Sequence, residues 1–278
     1  MINKRSLSVI VISWNTKQLL QDCIESFAKY HSNLDYELII IDNDSTDGSR
    51  EYLMSLQSEE IQCLYNQENV GFAEANNQGF ELAKGEFIAL VNTDIRFSED
   101  VFSILINKLK ADPQLGAIST NLAGDDGKSQ TIHRRFPTPL LVFFVFTRLG
   151  QIFDKRVFNN YFNKKYRYLD ISRAGQQPVQ QAAAALLVLN PVVAEKLEYL
   201  LDNRFPIYGN DVDLCKRIYR KGYRVDVVFD ITVWHKGSAS LSQMESEYKN
   251  ITKKRWIVDY YTKYYGKLVS YLIQLLIR

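Results

Sequence analysis

Three short acidic segments of the sequence contain residues that could perform chemistry. Asp42 and Asp44 follow one apolar run, Asp94 follows another, and Asp211 opens a segment with helical spacing. A carboxylate at such a position can hold a divalent cation such as Mg²⁺ or Mn²⁺, and the cation can hold phosphates. A second carboxylate can take a proton from a hydroxyl group. The pattern therefore predicts a metal-assisted reaction of a phosphorylated substrate.

The segment 85–94 (GEFIALVNTD) shows most clearly where such a site would lie. Its apolar run at 87–91 is typical of a strand that is buried on both faces of a parallel sheet. Asn92, Thr93 and Asp94 then fall at the carboxyl end of the strand, where open α/β sheets bind ligands. The alternative is a turn with a helix-capping Asp, because Asn and Asp are favoured in turns and caps.

The first 120 residues contain the elements that would position these side chains. Apolar runs alternate with segments of helical periodicity, which predicts an α/β fold, a mostly parallel sheet flanked by helices. The predicted strands are 7–13, 36–41, 61–65, 87–91 and 116–120, and the predicted helices are 17–30, 47 or 49 to 56, 72–84 and 99–111.

A glycine at the start of one predicted helix offers a place for a phosphate. P-loop and dinucleotide-binding glycine fingerprints are absent from the sequence. Gly71, however, precedes the helix predicted at 72–84, and backbone N–H groups at a helix start can bind phosphate. Together with the acidic segments, this feature predicts a nucleotide diphosphate held through a metal.

The second half of the chain is less regular. Residues 134–173 combine ten aromatic residues with nine Lys and Arg residues and include the apolar heptapeptide LLVFFVF at 140–146. Core-like sequence returns at 181–189. Helices are predicted at 191–201 and 211–221, strands at 223–228 and 232–234, and a basic, aromatic helical tail from Met244 to Arg278.

Composition limits the class of protein. The net charge of the 278 residues is only +2, which argues against a nucleic-acid polycation. The three cysteines show neither a metal-binding nor a disulfide spacing, which fits a reducing compartment. We expect the N-terminal apolar segment to be the first strand and not a signal peptide, and no apolar run approaches the roughly 18–20 residues of a spanning helix.

Five segments, in order along the chain, resemble the successive motifs of a known enzyme family. They are 9–15 (VIVISWN), 41–49 (IDNDSTDGS), 66–79 (NQENVGFAEANNQG), 85–94 (GEFIALVNTD) and 209–222 (GNDVDLCKRIYRKG). The sequence resembles the family 2 inverting glycosyltransferases with the GT-A fold from about residue 6 to about residue 240. Among them it is most similar to bacterial rhamnosyltransferase-like members that build cell-surface polysaccharides.

The resemblance implies a set of residues that bind a nucleotide-sugar. Asp42 matches the position that contacts the nucleobase, and Asn92-Thr93-Asp94 matches the metal-binding DXD motif. Asn92 would touch the ribose or the diphosphate. The other residues expected at the donor are Ser13, Asn15, Asp44, Gly71, Asn76 and Thr93.

The resemblance also implies a metal site and a catalytic base. Asp94 would bind the cation, and His235, in VWHKGSAS, matches a histidine that completes the metal site in some relatives. Asp211 matches the catalytic base, and Asn210 replaces the glutamate that usually precedes it. Asp213 is interpreted as an acid in the first turn of a helix, where it faces the helix dipole.

The expected activity is therefore transfer of a sugar from a dTDP- or UDP-sugar to a saccharide acceptor, assisted by Mg²⁺ or Mn²⁺. L-rhamnose is the expected sugar, and the expected acceptor is linked to polyprenyl diphosphate and used in surface polysaccharide synthesis. Residues 1–120 would form the nucleotide-sugar half, 121–240 the acceptor and catalytic-base half, and 241–278 an amphipathic helical tail.

Two other functions remain open at this level. Asn92, Asn210 and Ala182 stand where relatives have other residues, so the chain could be a nucleotide-sugar-binding protein without turnover. A nucleotidyltransferase also uses acidic residues and a metal, and it would release pyrophosphate.

The basic, aromatic segment and the tail raise a separate question. Neither contains a nucleic-acid-binding motif, and we expect no nucleic-acid partner. Apolar faces edged with Lys and Arg dock on anionic lipid, which predicts a cytoplasmic protein that is peripheral on the inner face of the membrane. The stripe of apolar tail residues could equally pack on the domain or form a homodimer; it comprises Trp256, Tyr260, Tyr264, Leu268, Tyr271 and Leu275.

Overall fold

The structure is a computed structural model that describes residues 5–56, 58–237 and 246–277. Residues 238–240 of the motif after His235, and Met244 at the predicted start of the tail, lie outside these ranges. Within the described residues, no helix is both long enough and apolar enough to cross a membrane.

Strands and helices alternate through the first half of the chain, as the sequence predicts. The strands are β1 (Leu7–Ser13), β2 (Tyr36–Asp42), β3 (Ile61–Tyr65), β4 (Phe87–Asn92), β5 (Ile95–Arg96), β6 (Leu115–Ala123), β7 (Gln176–Val179), β8 (Leu186–Leu189) and β9 (Arg224–His235). The helices are α1 (Lys17–Tyr30), α2 (Ser49–Ser55), α3 (Phe72–Leu82), α4 (Val101–Ala111), α5 (Pro139–Phe146), α6 (Arg148–Arg156), α7 (Tyr161–Tyr166), α8 (Pro191–Glu195), α9 (Asn210–Arg220), α10 (Ser246–Tyr265) and α11 (Lys267–Leu276).

One mixed sheet runs through the described part of the chain in the order β3-β2-β1-β4-β8-β6-β9-β5, and β7 pairs with β9. The long pairings β1/β2, β1/β4, β2/β3 and β6/β9 are parallel, whereas β8 inserts antiparallel between β4 and β6. The prediction of an α/β fold with a mostly parallel sheet is therefore confirmed.

Successive side chains of the central strands point to opposite faces of the sheet, so a hydrophobic core forms on each face. In β4, Ala89 and Val91 pack on the side of α1 and α4, whereas Ile88 and Leu90 pack on the opposite side. Because successive side chains of a strand point to opposite faces, a strand covered by helices on both sides must be apolar throughout. This requirement explains the uninterrupted apolar run before Asn92.

In the second half of the chain, the structure differs from the sequence prediction at two places. The strands predicted at 223–228 and 232–234 form the single strand β9, in which residues 229–231 interrupt the pairing with β6. The helix predicted at 191–201 ends at Glu195. Beyond it, Arg217 donates to the carbonyls of Tyr199 and Leu200, so side chains and not helical N–H groups satisfy these oxygens.

The C-terminal helices pack on the domain through a buried carboxylate on α9. Asp213 is fully buried and accepts bonds from Arg217 Nε at 2.8 Å, Lys263 Nζ at 2.5 Å and the Tyr264 hydroxyl at 2.7 Å. The predicted role of Asp213 as a first-turn acid is therefore extended, because its carboxylate also ties α10 to α9. Trp256 and Tyr260 of the predicted tail stripe are buried, whereas Leu268, Tyr271 and Leu275 are exposed; those six residues therefore do not form one face.

Candidate active site

The carboxyl ends of β1, β2 and β4 bring three of the predicted residues to one edge of the sheet. Ser13 is the register partner of Asp42, and Ile12 is the partner of Asn92. Parallel strands that start in register also end together, so the polar residues that follow them must meet. The sequence pattern could not give the register itself, which comes from packing against the helices.

Asp42 and Ser13 lie at this edge with unsatisfied polar atoms. Asp42 is fully buried, and its Oδ2 accepts from Arg50 Nε at 3.1 Å and from the N–H of Ser45 at 3.3 Å. Among the described residues, Asp42 Oδ1 and Ser13 Oγ have no hydrogen-bond partner although both are buried. Buried polar atoms are seldom left unpaired, so a ligand with matching groups could bond to them here.

A loop beside these two residues is fastened by Asn15. The backbone of Asn15 has a positive φ of 51°, its N–H donates to Ser45 Oγ at 3.0 Å, and its Oδ1 accepts from the Thr46 N–H at 2.7 Å. Asp47 accepts from the Lys17 N–H at 2.8 Å. Asn15 and Asp47 thus hold the loop after β2 against the start of α1. Asp44, also at positive φ, is half-buried.

Gly71 lies at the start of α3, as predicted, and its loop is organised by Asn43. Asn43 Oδ1 accepts from the Val70 N–H at 3.1 Å, and its Nδ2 donates to Asn69 Oδ1 at 2.7 Å. Gly71 has a φ of 89°, and open space surrounds the place that a side chain would take. Asn76 is buried, and its Nδ2 bonds to the carbonyl of Phe72 in its own helix. Sequence reasoning missed Asn43, although it directly follows Asp42.

Asp94 and His235 meet where β5 pairs with β9. Oδ1 of Asp94 lies 3.4 Å from Nε2 of His235, and Oδ2 accepts from the Gly237 N–H at 3.0 Å. Burial alone would raise the pKa of Asp94, but the bonds from His235 and Gly237 outweigh it and lower that pKa. Asp94 is therefore an ionised carboxylate beside an imidazole. Thr93 is buried next to it, and Asn92 is half-buried.

Gln130 fixes the orientation of the His235 ring. Its Nε2 donates to the carbonyl of His235 at 2.7 Å, so its Oε1 faces His235 Nδ1 at 2.6 Å and accepts a hydrogen bond from it. This arrangement assigns a ring proton to Nδ1 and turns Nε2 toward Asp94. Gln130 lies in an irregular segment, where no sequence pattern singled it out.

Asp94 and His235 fit a divalent cation that is shared with a substrate. Within the described ranges, no group of three or more His, Cys, Asp or Glu residues could hold a metal. Mg²⁺ usually keeps several waters and is bound through one or two carboxylates plus substrate phosphates. A carboxylate, an imidazole nitrogen and a bound diphosphate meet that requirement, so the residues present suit the cation expected from the sequence.

Asp211 lies in the first turn of α9, and its carboxylate accepts hydrogen bonds from two donors. Its Oδ1 accepts from the Val212 N–H at 2.8 Å, and its Oδ2 accepts from Gln181 Nε2 at 2.7 Å. Burial raises the pKa of Asp211 to about 6, although these bonds and the nearby Arg134 act in the opposite direction. Asn210 holds the same turn, with its Nδ2 bonded to the Ile207 carbonyl at 2.9 Å and its Oδ1 accepting from the Asp211 N–H at 2.7 Å. The raised pKa suits a carboxylate that must take a proton near neutral pH.

Residues 181–185 connect the two carboxylates. The Asn92 N–H donates to the carbonyl of Ala185 at 2.9 Å, four residues after the Gln181 that contacts Asp211. Four residues of chain span at most about 14 Å. Since Leu186 pairs with Val91 at the carboxyl end of β4, both carboxylates lie at the same edge of the sheet.

The wall beside Asp211 also contains groups that the sequence did not indicate. Arg134 pairs its backbone with Gln181 in both directions at 3.0 Å, and its guanidinium lies 5.7 Å from the ring of Tyr166. His133 is buried, and Nδ1 accepts from the Ala183 N–H at 3.3 Å. Burial and the neighbouring arginines lower the pKa of His133 to about 3, so its ring is neutral.

Comparison with solved structures supports the architecture. The mannosyltransferase PcManGT of Pyrobaculum calidifontis, solved in complex with GDP-Man and Mn²⁺, superposes with a TM-score of 0.59 at 17% identity over 99% of this chain and 70% of its own. GalNAc-T7, solved with UDP, GalNAc and Mn²⁺, gives a TM-score of 0.60 at 14% identity over 84% of this chain and 44% of its own. At these identities the likeness shows the fold, and the expected GT-A architecture is confirmed.

Sequence relatives cover a smaller part of the chain. A putative teichuronic acid biosynthesis glycosyltransferase of Bacillus subtilis, TuaG, is 34% identical over 99 residues, 35% of this chain and 39% of that protein. The glycosyltransferase GlyG of Streptococcus pneumoniae is 32% identical over 107 residues, 37% of this chain and 35% of its own length. The chain thus spans less than two fifths of the length of these relatives.

The family assignment rests on a longer match. The model described as glycosyl transferase family 2 matches residues 8–172, which is more than half of the chain and includes the edge formed by β1, β2 and β4. The match, the fold and the ordered motifs agree, and the chain belongs to glycosyl transferase family 2.

Proposed function

We propose that the protein transfers a sugar from a nucleoside diphosphate sugar to a saccharide acceptor with inversion at the anomeric carbon, in the synthesis of a bacterial surface polysaccharide. The observation that carries the proposal is the placement of two carboxylates with different environments at one edge of the sheet. Asp94 is ionised and paired with His235, whereas Asp211 has a pKa raised to about 6.

The donor would lie across the ends of β1, β2 and β4. Asp42 Oδ1 and Ser13 Oγ are free to bond to the nucleobase, and Gly71 lies at the start of α3, where N–H groups can meet a phosphate. A nucleobase with an N–H donor, such as the uracil of UDP or the thymine of dTDP, suits the acceptor oxygen of Asp42. The other donor-side residues in the proposal are Asn15, Asp44, Asn76, Asn92 and Thr93.

Asp94 and His235 would bind a Mg²⁺ or Mn²⁺ ion together with the diphosphate. When bound, the ion supplies positive charge that stabilises the leaving diphosphate. The backbone N–H of Gly237 holds Asp94 in place, and Gln130 holds His235. These contacts orient the pair before the substrate arrives, which is the condition for strong electrostatic stabilisation.

Asp211 would act on the acceptor. A hydroxyl of the acceptor attacks the anomeric carbon from the side opposite the diphosphate, the new C–O bond forms as the bond to the diphosphate oxygen breaks, and the hydroxyl proton passes to Asp211. One base suffices, in contrast with glycoside hydrolysis, which uses two carboxylates around one bond. Gln181 and the Val212 N–H fix the carboxylate for this step.

The proposal extends to the identity of both substrates. L-rhamnose from a dTDP-sugar and an acceptor linked to polyprenyl diphosphate remain our predictions, as does a peripheral position on the cytoplasmic face of the membrane. Residues 1–120 would hold the donor, 121–240 the acceptor and the base, and 241–278 the tail. The relationship to TuaG, whose name refers to teichuronic acid biosynthesis, supports a surface polysaccharide as the product.

A donor screen tests the proposal. The chain is incubated with a panel of UDP-, dTDP- and GDP-sugars, Mg²⁺ or Mn²⁺ and saccharide acceptors, and the release of nucleoside diphosphate is measured together with the stereochemistry of the product. Asp211→Asn should lower the rate about 100-fold or more. Asp22→Asn, a change at a half-buried position on α1, is the matched control and should leave the rate unchanged.

The same screen separates the alternatives. Tight nucleotide-sugar binding with neither transfer nor hydrolysis would indicate a binding protein, which Asn92 and Asn210 would then explain. Pyrophosphate release would indicate a nucleotidyltransferase. Transfer at the wild-type rate by Asp211→Asn would remove Asp211 as the base.

A further inference from the structure

Exposed apolar side chains are concentrated on two short helices that are far apart in the sequence. On α6, Leu149 is 58% exposed and Phe153 is 44% exposed, and Val157, just after it, is 63% exposed. On α11, Leu268 is 74% exposed and Leu272 is 52% exposed. Scattered exposed apolar residues need no explanation, but a group of this kind marks an interaction site.

The spacing shows that each helix presents an ordered face. Leu149, Ile152 and Phe153 follow the i, i+3, i+4 pattern of one helical face, while Gly150 and Asp154 on the other side of α6 are buried. Leu268, Tyr271, Leu272 and Leu275 repeat the pattern on α11, where Ser270 and Ile273 are buried. In both helices the exposed side is thus the more apolar one, which is the reverse of an ordinary surface helix and indicates a partner on the outer side.

The two helices belong to one part of the molecule. The helix α5 packs against both α6 and α11 in the structure. We call the exposed faces of α6 and α11, with Val157, the apolar face. It joins residues more than a hundred positions apart in the chain, so no sequence window contains it.

Charge around the apolar face is strongly one-sided. Residues 139–169 contain six basic residues and one acid, and α11 adds a basic residue and no acid. The one acid, Asp154, is buried and accepts from the N–H groups of Phe162 at 3.0 Å and Asn163 at 2.9 Å, so it does not offset the charge. The basic residues are Arg148, Lys155, Arg156, Lys164, Lys165 and Arg167.

We infer that the apolar face, with its basic border, docks on the surface of an anionic lipid bilayer. Aliphatic side chains enter the boundary between headgroups and acyl chains, while lysine and arginine bind anionic headgroups. A second copy of the chain fits less well, because a two-fold interface would place the same basic surface against itself. None of the described helices can span a bilayer, which agrees with contact at its surface.

Docking would bring the acceptor side of the site to the membrane. Tyr166 ends α7, accepts through its carbonyl from the N–H of Arg135 at 2.9 Å, and lies against Arg134 beside Asp211. The inference rests on the peripheral membrane position in the proposed function and adds to it the surface that makes the contact. Binding to vesicles requires neither a donor nor turnover, so it is measured separately from transfer.

Flotation of the 278-residue chain with vesicles tests the inference. Vesicles of phosphatidylcholine with about one third phosphatidylglycerol should bind the protein, high salt should weaken the binding, and vesicles of pure phosphatidylcholine should bind it far less. Absence of binding to the anionic vesicles by folded protein would overturn the inference. Asp211→Asn should bind like the wild type, so loss of catalysis and loss of docking are separate results.

Paired variants test the surface itself. Leu149→Ser/Phe153→Ser and Leu268→Ser/Leu272→Ser should each lower vesicle binding at least tenfold, roughly as expected from loss of two buried side chains. The matched control is Met54→Ser/Ile104→Ser, two exposed apolar residues on α2 and α4, which should bind like the wild type. If either variant of the apolar face binds vesicles as well as the control does, the inference is overturned.

Charge variants complete the test. Lys155→Gln/Arg156→Gln should weaken binding to anionic vesicles roughly thirtyfold, whereas Lys110→Gln/Lys221→Gln, which removes the same charge from α4 and the end of α9, should have little effect. Size-exclusion chromatography with light scattering tests whether a second copy of the chain covers the apolar face instead. Two results together would assign the apolar face to a second copy of the chain. The wild type would form a dimer and fail to bind vesicles, and the paired serine variants of the apolar face would be monomers.

Discussion

Gln181 Nε2 lies 2.7 Å from Oδ2 of Asp211, and Gln181 also pairs its backbone with Arg134. This contact links the start of α9 to the strand-like segment before β8. It fixes the direction of a carboxylate whose position in the sequence, at the start of a helix, would otherwise suit a simple helix cap.

Replacement of Gln181 by leucine should change the pH profile of transfer. The bond from Gln181 lowers the pKa of Asp211, so its loss should raise that pKa from about 6. The acid limb of the rate profile should move upward by about one pH unit, because a hydrogen bond to a charged group contributes about 1.5–3 kcal/mol. Gln177→Leu, which removes a bond to the Ala174 carbonyl, is the control. An unchanged acid limb would show that Gln181 does not act on the base.

Asp211 should also make stability depend on pH. Its pKa in the folded chain, about 6, lies above the ordinary value of 3.8, so the folded state binds the proton more tightly than the unfolded state. The stabilisation from that proton is complete below about pH 4 and is lost as the pH rises through 6. Thermal unfolding of Asp211→Asn and wild type from pH 4 to 7 should show the variant gaining in relative Tm, by an amount that corresponds to about 2 kcal/mol. A constant difference would contradict the raised pKa.

Gln130 should control metal affinity without touching the metal. Gln130→Leu frees the His235 ring from the bond at Nδ1, and partners of this kind usually change metal affinity by about 10- to 100-fold. Titration calorimetry with Mn²⁺ in the presence of UDP or dTDP measures the effect. Gln114→Leu, an exposed change near the start of β6, should leave the affinity unchanged. Equal Mn²⁺ affinity in the two variants would show that Gln130 does not control the metal site.

Asp213 should be important for stability and not for the chemistry. Asp213→Ala leaves Lys263 and Arg217 near one another without their shared carboxylate, and removing one partner of a buried pair destabilises a protein by about 3–5 kcal/mol. Asp35→Ala breaks the exposed pair with Arg5 and should change the free energy of unfolding by less than about 1 kcal/mol. Denaturant titrations measure both values. Similar losses in the two variants would argue against α10 being anchored through Asp213.

Ser13→Ala should lower the affinity for nucleotide without lowering the stability of the protein. The Ser13 hydroxyl is buried, and no described residue bonds to it, so its removal should leave stability unchanged or raise it by up to about 1 kcal/mol. If the hydroxyl bonds to the donor, affinity for UDP or dTDP should fall. Thermal unfolding with and without nucleotide measures both quantities. Ser55→Ala, on the outer end of α2, is the control.

The sequence alone determined much of the fold and of the donor side. Its strict alternation of apolar runs and helical segments required a sheet covered on both faces, and the polar residues after β1, β2 and β4 had to meet at one edge. Asp42, Asp94 and Asp211 could be named because their residue types and order along the chain resemble those of a known family. This information is local, since it depends on short segments and their sequence.

Only the tertiary structure decided the contacts between distant segments. The pairing of Asp94 with His235, the orientation of His235 by Gln130 and the contact of Gln181 with Asp211 join residues 30 or more positions apart. The packing of α10 on α9 also depends on such contacts, since Lys263 and Tyr264 bond to Asp213, which the sequence suggested only as an acid in the first turn of a helix. Side chains in irregular segments carry no periodic signal, and their partners are set by how the whole chain packs around the sheet.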